Sequence, residues 1–284
     1  MLPIIKYIKA RFPIFPAFLF SLGYAALAIG SSLSDNFWIN NLIQGLKILF
    51  MLTFLFFFFL LKQRVIDEFR DEKHDLKNFP NRPLPKGLIS KKQLIILGLP
   101  VFLLELILVS LLGFYNIYFF ILIYTFFMAR EFFIPSWLDR HFTIYFLIHE
   151  MIFLLFGIYF ISVINRFTPP ISIKFLLIIF ALIAAPVTIE IIRKFSPRFD
   201  SKGMPVADTY SSVWGRKNTL IILTALSFCI GLVLTIIKSN FIFLIFSLLT
   251  ILSWRIFRLK SDKTIILIGV INFLGVALLS NLIW

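Results

Sequence analysis

Between two strongly apolar segments the chain carries thirty polar residues, Gln63 to Lys92, reading QRVIDEFRDEKHDLKNFPNRPLPKGLISKK. Five of them are acids, and Asp67, Asp71 and Asp75 recur at every fourth position. On a helix that spacing stacks carboxylates on one face, about 6 Å from one to the next. Such a row repels itself unless a cation sits on it. Hard oxygen donors suit Mg²⁺, which commonly binds one or two carboxylates together with the oxygens of a substrate phosphate. A diphosphate held that way becomes a good leaving group, because the ion neutralises the charge that develops as the carbon–oxygen bond breaks. Arg82 and nearby lysines could hold the remaining phosphate oxygens, arginine in bidentate fashion.

The competing reading is a solvated juxtamembrane helix whose interleaved Lys and Arg satisfy the acids locally. The following Arg82-Pro83-Leu84-Pro85-Lys86-Gly87 favours a site, since a rigid Pro-bounded turn gives nothing to a merely solvated face.

These residues must be positioned by a membrane scaffold. The 284 residues are 60% hydrophobic and 18% aromatic, with a mean hydropathy of +0.96 and only 15% charged. A water-soluble core cannot absorb that much apolar surface. The formal charge of +14 does not point to nucleic acid, because the basic residues are confined to connectors between apolar runs. The one cysteine, Cys229, lies inside an apolar run, so no disulfide framework forms within the chain. No cleavable signal is evident after Lys6, Lys9 and Arg11, and the run that follows reads as a first span.

Nine segments of bilayer length can be marked, at about 13–33, 42–62, 93–113, 115–134, 142–164, 171–192, 218–238, 240–257 and 264–283. With the N-terminus inside, 24 of the 28 Lys and Arg fall on the cytoplasmic side, which predicts an N-in, C-out bundle. The expected architecture is all-α, one domain over 1–284, in the inner membrane. Both long, chemically dense connectors, Gln63 to Lys92 and Arg193 to Lys217, then lie on the cytoplasmic face.

The first connector resembles the first signature of the UbiA-type membrane prenyltransferases, NDxxDxxxD followed by RPLxxG. Aligned on Asp75, the motif puts Asp71 in the middle, Glu68 on the first aspartate and Asp67 on the asparagine; Asn78, Arg82, Pro83 and Gly87 match its continuation. The departures keep ligand oxygens and make the site more negative. The second connector, EIIRKFSPRFDSKGMPVADTYSSVWGRK from Glu190 to Lys217, stands where the superfamily has DxxDxxxD. Here Glu190 occupies the first acid but Arg193 the second, and Asp200 and Asp208 come late; Thr209 to Gly215 resembles the closing segment. The match is to a divergent subgroup.

The resemblance implies Mg²⁺ held by Asp67, Glu68, Asp71 and Asp75 on one side and by Glu190 with Asp200 or Asp208 on the other. Asp71, Asp75 and Glu190 would be catalytic, and Asn78, Arg82, Arg193, Lys194 and Tyr210 would bind the diphosphate. The implied reaction transfers an isoprenyl group from its diphosphate to an aromatic or hydroxyl acceptor among membrane lipids. Replacing a carboxylate by Arg193 turns a metal ligand into a phosphate ligand, and an internal Glu190–Lys194 ion pair is the alternative without ligand. A non-catalytic lipid-binding or metal-ion transport protein on the same scaffold is the competing functional class; Glu105 and Glu150 are its only candidates for continuing an ion path.

Elsewhere, Glu105 reads as a functional acid or a hydrogen-bonded structural one, and His149 with Glu150 as a proton acceptor or an interhelical pair. The loop from Arg130 to His141 reads as an interfacial rim or an anchored turn. Tyr124, Tyr145 and Tyr210 are candidates for shielding an allylic cation with their ring faces.

Overall fold

The computed structural model describes residues 2–32, 42–167, 169–257 and 261–282. Residue 33, the end of the first expected span, and Arg258 and Lys260, counted on the cytoplasmic side, lie outside the described residues. The helices are α1 (Leu2–Arg11), α2 (Ile14–Gly30), α3 (Leu42–Arg70), α4 (Glu72–Asn78), α5 (Lys91–Leu112), α6 (Tyr115–Ala129), α7 (Pro135–Leu138), α8 (Phe142–Glu150), α9 (Ile152–Asn165) and α10 (Ile173–Arg193). A two-residue hairpin, β1 (Arg198–Phe199) and β2 (Pro205–Val206), precedes α11 (Tyr210–Val213), α12 (Arg216–Lys238), α13 (Ile242–Phe257) and α14 (Asp262–Leu282). In the hairpin Arg198 faces Val206 and Phe199 faces Pro205.

Among the described residues, six helical segments are long and apolar enough to cross a membrane: α3, α5, α8 with α9, α10, α12 and α14. A seventh arises if α1 and α2, bent by 57° at Phe12 and Pro13, count as one, and α6 and α13 are shorter apolar helices. Local sequence explains several of the ends. The α5 start is a capping box, in which Ser90 accepts from the Gln93 amide and the Gln93 side chain accepts from the Ser90 amide. Ser172 caps α10 by accepting from the Phe175 amide at 3.2 Å. Met151 divides the fifth apolar segment into α8 and α9.

α10 occupies the middle of the bundle, packed on α2, α9, α12 and α14. α3 runs between α2 and α5. The Phe-rich turn of α3 divides its side chains by helical phase: Phe56 and Phe59 are buried and meet Phe156 at ring distances of 5.0 and 4.5 Å, while Phe57 and Phe58 lie on the outer side. On α5 residues such as Ile95, Ile96 and Leu99 are more than half exposed, as suits a helix set against lipid.

One charged group is folded into this apolar interior. Lys62, at the connector end of α3, pairs with Glu105 of α5, whose same carboxylate oxygen accepts from the Tyr118 hydroxyl of α6. Glu105 thus takes the structural of its two expected roles. Removing one member leaves the other charge buried and unpaired. Glu105→Ala is therefore expected to cost about 3–5 kcal/mol, and Lys62→Met with Glu105→Leu to recover most of it. Thermal unfolding in detergent checks this, and a double variant no better than the single one would refute it.

Candidate active site

The helix of α3 continues past the apolar run to Arg70, so the first half of the acidic motif rides on it. At Asp71 the chain bends, and α4 begins at Glu72. The expected single row is thereby divided, Asp67 pairing with Asp71 and Asp75 with Glu68, each pair bridged by an arginine. Arg70 holds Asp67 and Asp71, with its Nη2 2.9 Å from Asp67 Oδ1 and its Nε 2.9 Å from Asp71 Oδ1. Arg11, arriving from α1, holds Glu68 and Asp75 at 2.8 and 3.3 Å. The two pairs differ in surroundings. Asp67 and Asp71 have side chains 27% and 33% exposed, whereas those of Glu68 and Asp75 are 1% and 3% exposed.

Glu68 is further held by Arg64 at 2.6 Å, although its Oε2 is buried without a hydrogen bond. Asp75 also receives Arg82, whose guanidinium lies 3.8 Å over the Phe79 ring, and His74 at 3.5 Å. The Pro-bounded turn supports this arrangement. Lys86 donates its amide to the Arg82 carbonyl at 2.9 Å, Leu88 donates to Pro83 at 2.8 Å, and Gly87 adopts φ +75°, where a side chain would be strained. Ile89 then plugs into a small core with Tyr7, Val65 and Leu94.

The hydrogen bond to the Asp75 carboxylate raises the pKa of His74 above its ordinary value, with burial opposing it. Burial would raise Asp75, but His74 and Arg82 outweigh it and hold the carboxyl below its usual range. The two shifts define a window. Stability from His74 is fully present below about pH 6.5, its unfolded value, and is lost as pH rises through its raised folded value. Stability from Asp75 is present above its unfolded value and is lost as pH falls through its lowered one. In the His74→Ala variant the thermal midpoint is expected to lose the fall that the parent shows as pH rises above about 6.5. An unchanged fall would refute the assignment.

The second connector returns to the same end of the bundle. Glu190 is held by Arg193 at 2.8 Å and by Lys194 at 2.9 Å, so the alternative of an internal ion pair is realised with both cations. Arg193 is nevertheless 55% exposed; Glu190 engages its Nε and Nη2, which leaves Nη1 open. Asp200 closes its own turn, accepting from the Lys202 and Met204 amides at 2.8 Å each. Asp208 pairs with Arg198 at 3.1 Å, and its other oxygen is buried without a hydrogen bond. Tyr210 packs edge-on against Phe146 at 5.1 Å, and Lys194 lies 5.7 Å from its ring.

The connectors meet. The Ser201 amide donates to the Asn78 carbonyl at 3.3 Å, and His74 lies within electrostatic reach of Asp208. Across the mouth Arg193 is within electrostatic reach of Asp67, and His149 of both Asp67 and Lys194. Tyr145 stacks on His149 at 4.0 Å between centroids and faces Arg70, Asp67 and Asp71. His149 accepts from or donates to no glutamate; its Nδ1 lies 2.8 Å from the Tyr145 carbonyl. Tyr124 donates instead to the Ile148 carbonyl at 2.6 Å. The rim from Arg130 to His141 folds as a 3₁₀ turn and α7, with Trp137 stacked on His141.

The donor chemistry separates the acids. Arg70 stands between Asp67 and Asp71 as a cation, and their hard, partly exposed oxygens fit a divalent ion. Glu68, Asp75, Glu190 and Asp200 have fixed cations or amides as partners. Among the described residues no three His, Cys, Asp or Glu side chains gather into a ready metal cluster. Arg11, Arg64 and Arg70, which organise the acids, were not among the residues singled out from sequence. Arg70, between Asp67 and Asp71, and Arg64, four residues before Glu68, carried a local signal; Arg11 did not.

The sequence matches the model of the UbiA prenyltransferase family over residues 18–266. No curated protein matches it. Among solved structures, that of a digeranylgeranylglyceryl phosphate synthase in membranes superposes with a TM-score of 0.54 at 16% identity, covering 99% of this chain and 98% of that one. That likeness shows the fold, nearly end to end. With the family model covering most of the chain's length, and with the acid-rich connector and its partner meeting at one end of an apolar helical bundle, this integral membrane protein belongs to the UbiA prenyltransferase family and is a prenyltransferase.

Proposed function

We propose that the mouth formed by the two connectors binds an isoprenyl diphosphate and transfers its prenyl group to a lipophilic acceptor. Asp67 and Asp71 would hold Mg²⁺, and a bound divalent ion would neutralise the charge developing on the leaving diphosphate. Arg193 and Lys194 would take phosphate oxygens directly, while Glu190 orients both cations. Glu68, Asp75, Asn78 and Arg82 would serve the site by fixing the α3–α4 bend and the contact to the second connector. Tyr145 and Tyr210 lie at the same mouth, where an aromatic ring would stabilise a cationic carbon.

The observation that carries this reading is the placement of the Asp67–Asp71 pair across from Arg193, with opposite charges for the two poles of a metal–diphosphate complex. We assign nine spans by counting α1 with α2 as one and adding α6 and α13, and the N-in orientation with the site on the cytoplasmic side of the inner membrane. The whole of 1–284 acts as one domain. A transport path would require acids threaded from face to face, and Glu105 is closed off by Lys62 and Tyr118. Purified protein in nanodiscs should release diphosphate from a prenyl diphosphate, in the series from C10 to long polyprenyl, only when Mg²⁺ is added. Silence across that whole series would sink the proposal.

A further inference from the structure

Beneath the second connector, whose Val213 and Trp214 line its end, a cleft of about 800 Å³ opens between α8, α10 and α12. Its walls are apolar, formed by residues such as Phe146, Ile183, Val187, Ile222 and Leu226, and its ionisable lining residue is Glu150. Leu147, Met151 and Phe180 at the outer edge are 56%, 42% and 39% exposed, so this flank faces lipid. At the connector end Trp214 of the TYSSVWG segment donates its Nε1 to Thr143 Oγ1 at 3.1 Å, joining α11 to α8 over the top. From Asn218 to Leu226 the cleft follows α12 for about 12 Å. The volume falls within the usual range of about 300–1,000 Å³ for small-molecule sites.

Glu150 makes no hydrogen bond or ion pair with a described residue, and it lies within electrostatic reach of Glu190, Arg193 and Lys194. A carboxylate in an apolar membrane wall is costly and marks a site when nothing structural holds it. Its carboxyl oxygen accepts a hydrogen bond and so rewards a donor. The diphosphate pole therefore belongs to Arg193 and Lys194, and the neighbouring cleft is left for the other substrate.

We propose that this cleft is the acceptor site and that it takes an uncharged, lipid-soluble molecule whose hydroxyl donates to Glu150. The inference rests on the transferase reading above. In the step itself the hydroxyl oxygen bonds to the allylic carbon. The carbon–oxygen bond to the diphosphate breaks with its electron pair leaving on the diphosphate, which also takes the hydroxyl proton once the Glu150 carboxyl oxygen, as hydrogen-bond acceptor, has oriented the hydroxyl.

The test uses a diazirine-bearing long-chain alcohol and its phosphate monoester, photolysed separately with the full-length protein in phosphatidylcholine nanodiscs. The alcohol should label peptides of α8, α10 and α12 about tenfold or more over the ester, the scale of one hydrogen bond to a charged group. Glu150→Leu should erase that preference. Ala184→Phe and Ile222→Phe, which fill the cleft from two helices, should abolish labelling while prenyl diphosphate still binds. Equal labelling by the ester, or labelling indifferent to the filling substitutions, would overturn the assignment. Because labelling needs no turnover, this failure is distinguishable from absent diphosphate release, which strikes the transferase reading instead.

Discussion

Asp71→Asn is expected to lower prenyl transfer by about 10²–10³-fold with little loss of stability, the scale of removing one electrostatic stabiliser of a transition state. Asp75→Asn, one helical turn later, is expected to damage folding first. The difference follows from what each carboxylate touches. Asp71 is one third exposed and pairs with Arg70, itself held by Asp67, so the substitution leaves no buried charge alone. Asp75 is nearly buried and takes both Arg11 and Arg82, whose side chains are only 13% and 18% exposed. Neutralising it strands the mostly buried Arg82 guanidinium and leaves Arg11 with Glu68 alone, at a cost of about 3–5 kcal/mol by analogy with other broken buried pairs. Thermal unfolding and diphosphate release, measured on the same preparations, separate the two. If Asp75→Asn melts like the parent and loses activity, Asp75 is a ligand, as the motif alignment implies.

The contrast between these two aspartates shows what the sequence made legible and where it stopped. Hydropathy placed α5, α10, α12 and α14 within three residues of their ends, since the bilayer thickness that sets span length also sets those helices. The same measure ended the second span at 62, whereas α3 runs on to Arg70, because hydropathy marks the edge of the apolar layer and says nothing of helix continuing into water. Within the motif, the four-residue period gave three aspartates on one face. The bend at Asp71 undid it, and the bend is stabilised by Arg11, a residue 57 positions upstream of Glu68 with no local signal. The Glu190 pairings were readable because they are i, i+3 and i, i+4 neighbours on one helix. The cleft at Glu150 was not, since its walls come from three helices, with only helical periodicity to show which faces meet.

Arg193→Asp restores an acid where the superfamily motif has one, and it is expected to reduce diphosphate release by about 10²-fold at any Mg²⁺ concentration. Two local consequences set the sign. Glu190 loses its 2.8 Å partner and keeps Lys194 alone, and Asp67 across the mouth gains a like charge where it had an opposite one. The site would need additional metal to offset that change, yet Asp200 is engaged by two amides of its own turn and Asp208 by Arg198, so neither stands ready as a further ligand. Raising Mg²⁺ should therefore recover little of the lost rate. Arg193→Lys is the informative companion. It keeps the charge but loses the planar fork that can hold Glu190 and a phosphate oxygen at once, so its defect should lie chiefly in the KM for the prenyl diphosphate. If Mg²⁺ instead returns Arg193→Asp to the parental rate, the second connector is a metal site in this chain too, and Arg193 is a replaceable counter-ion. The parental pairing of one acid with two cations argues for the other outcome, in which the two connectors divide the work: carboxylates for the ion on α3 and fixed cations for the phosphates on α10.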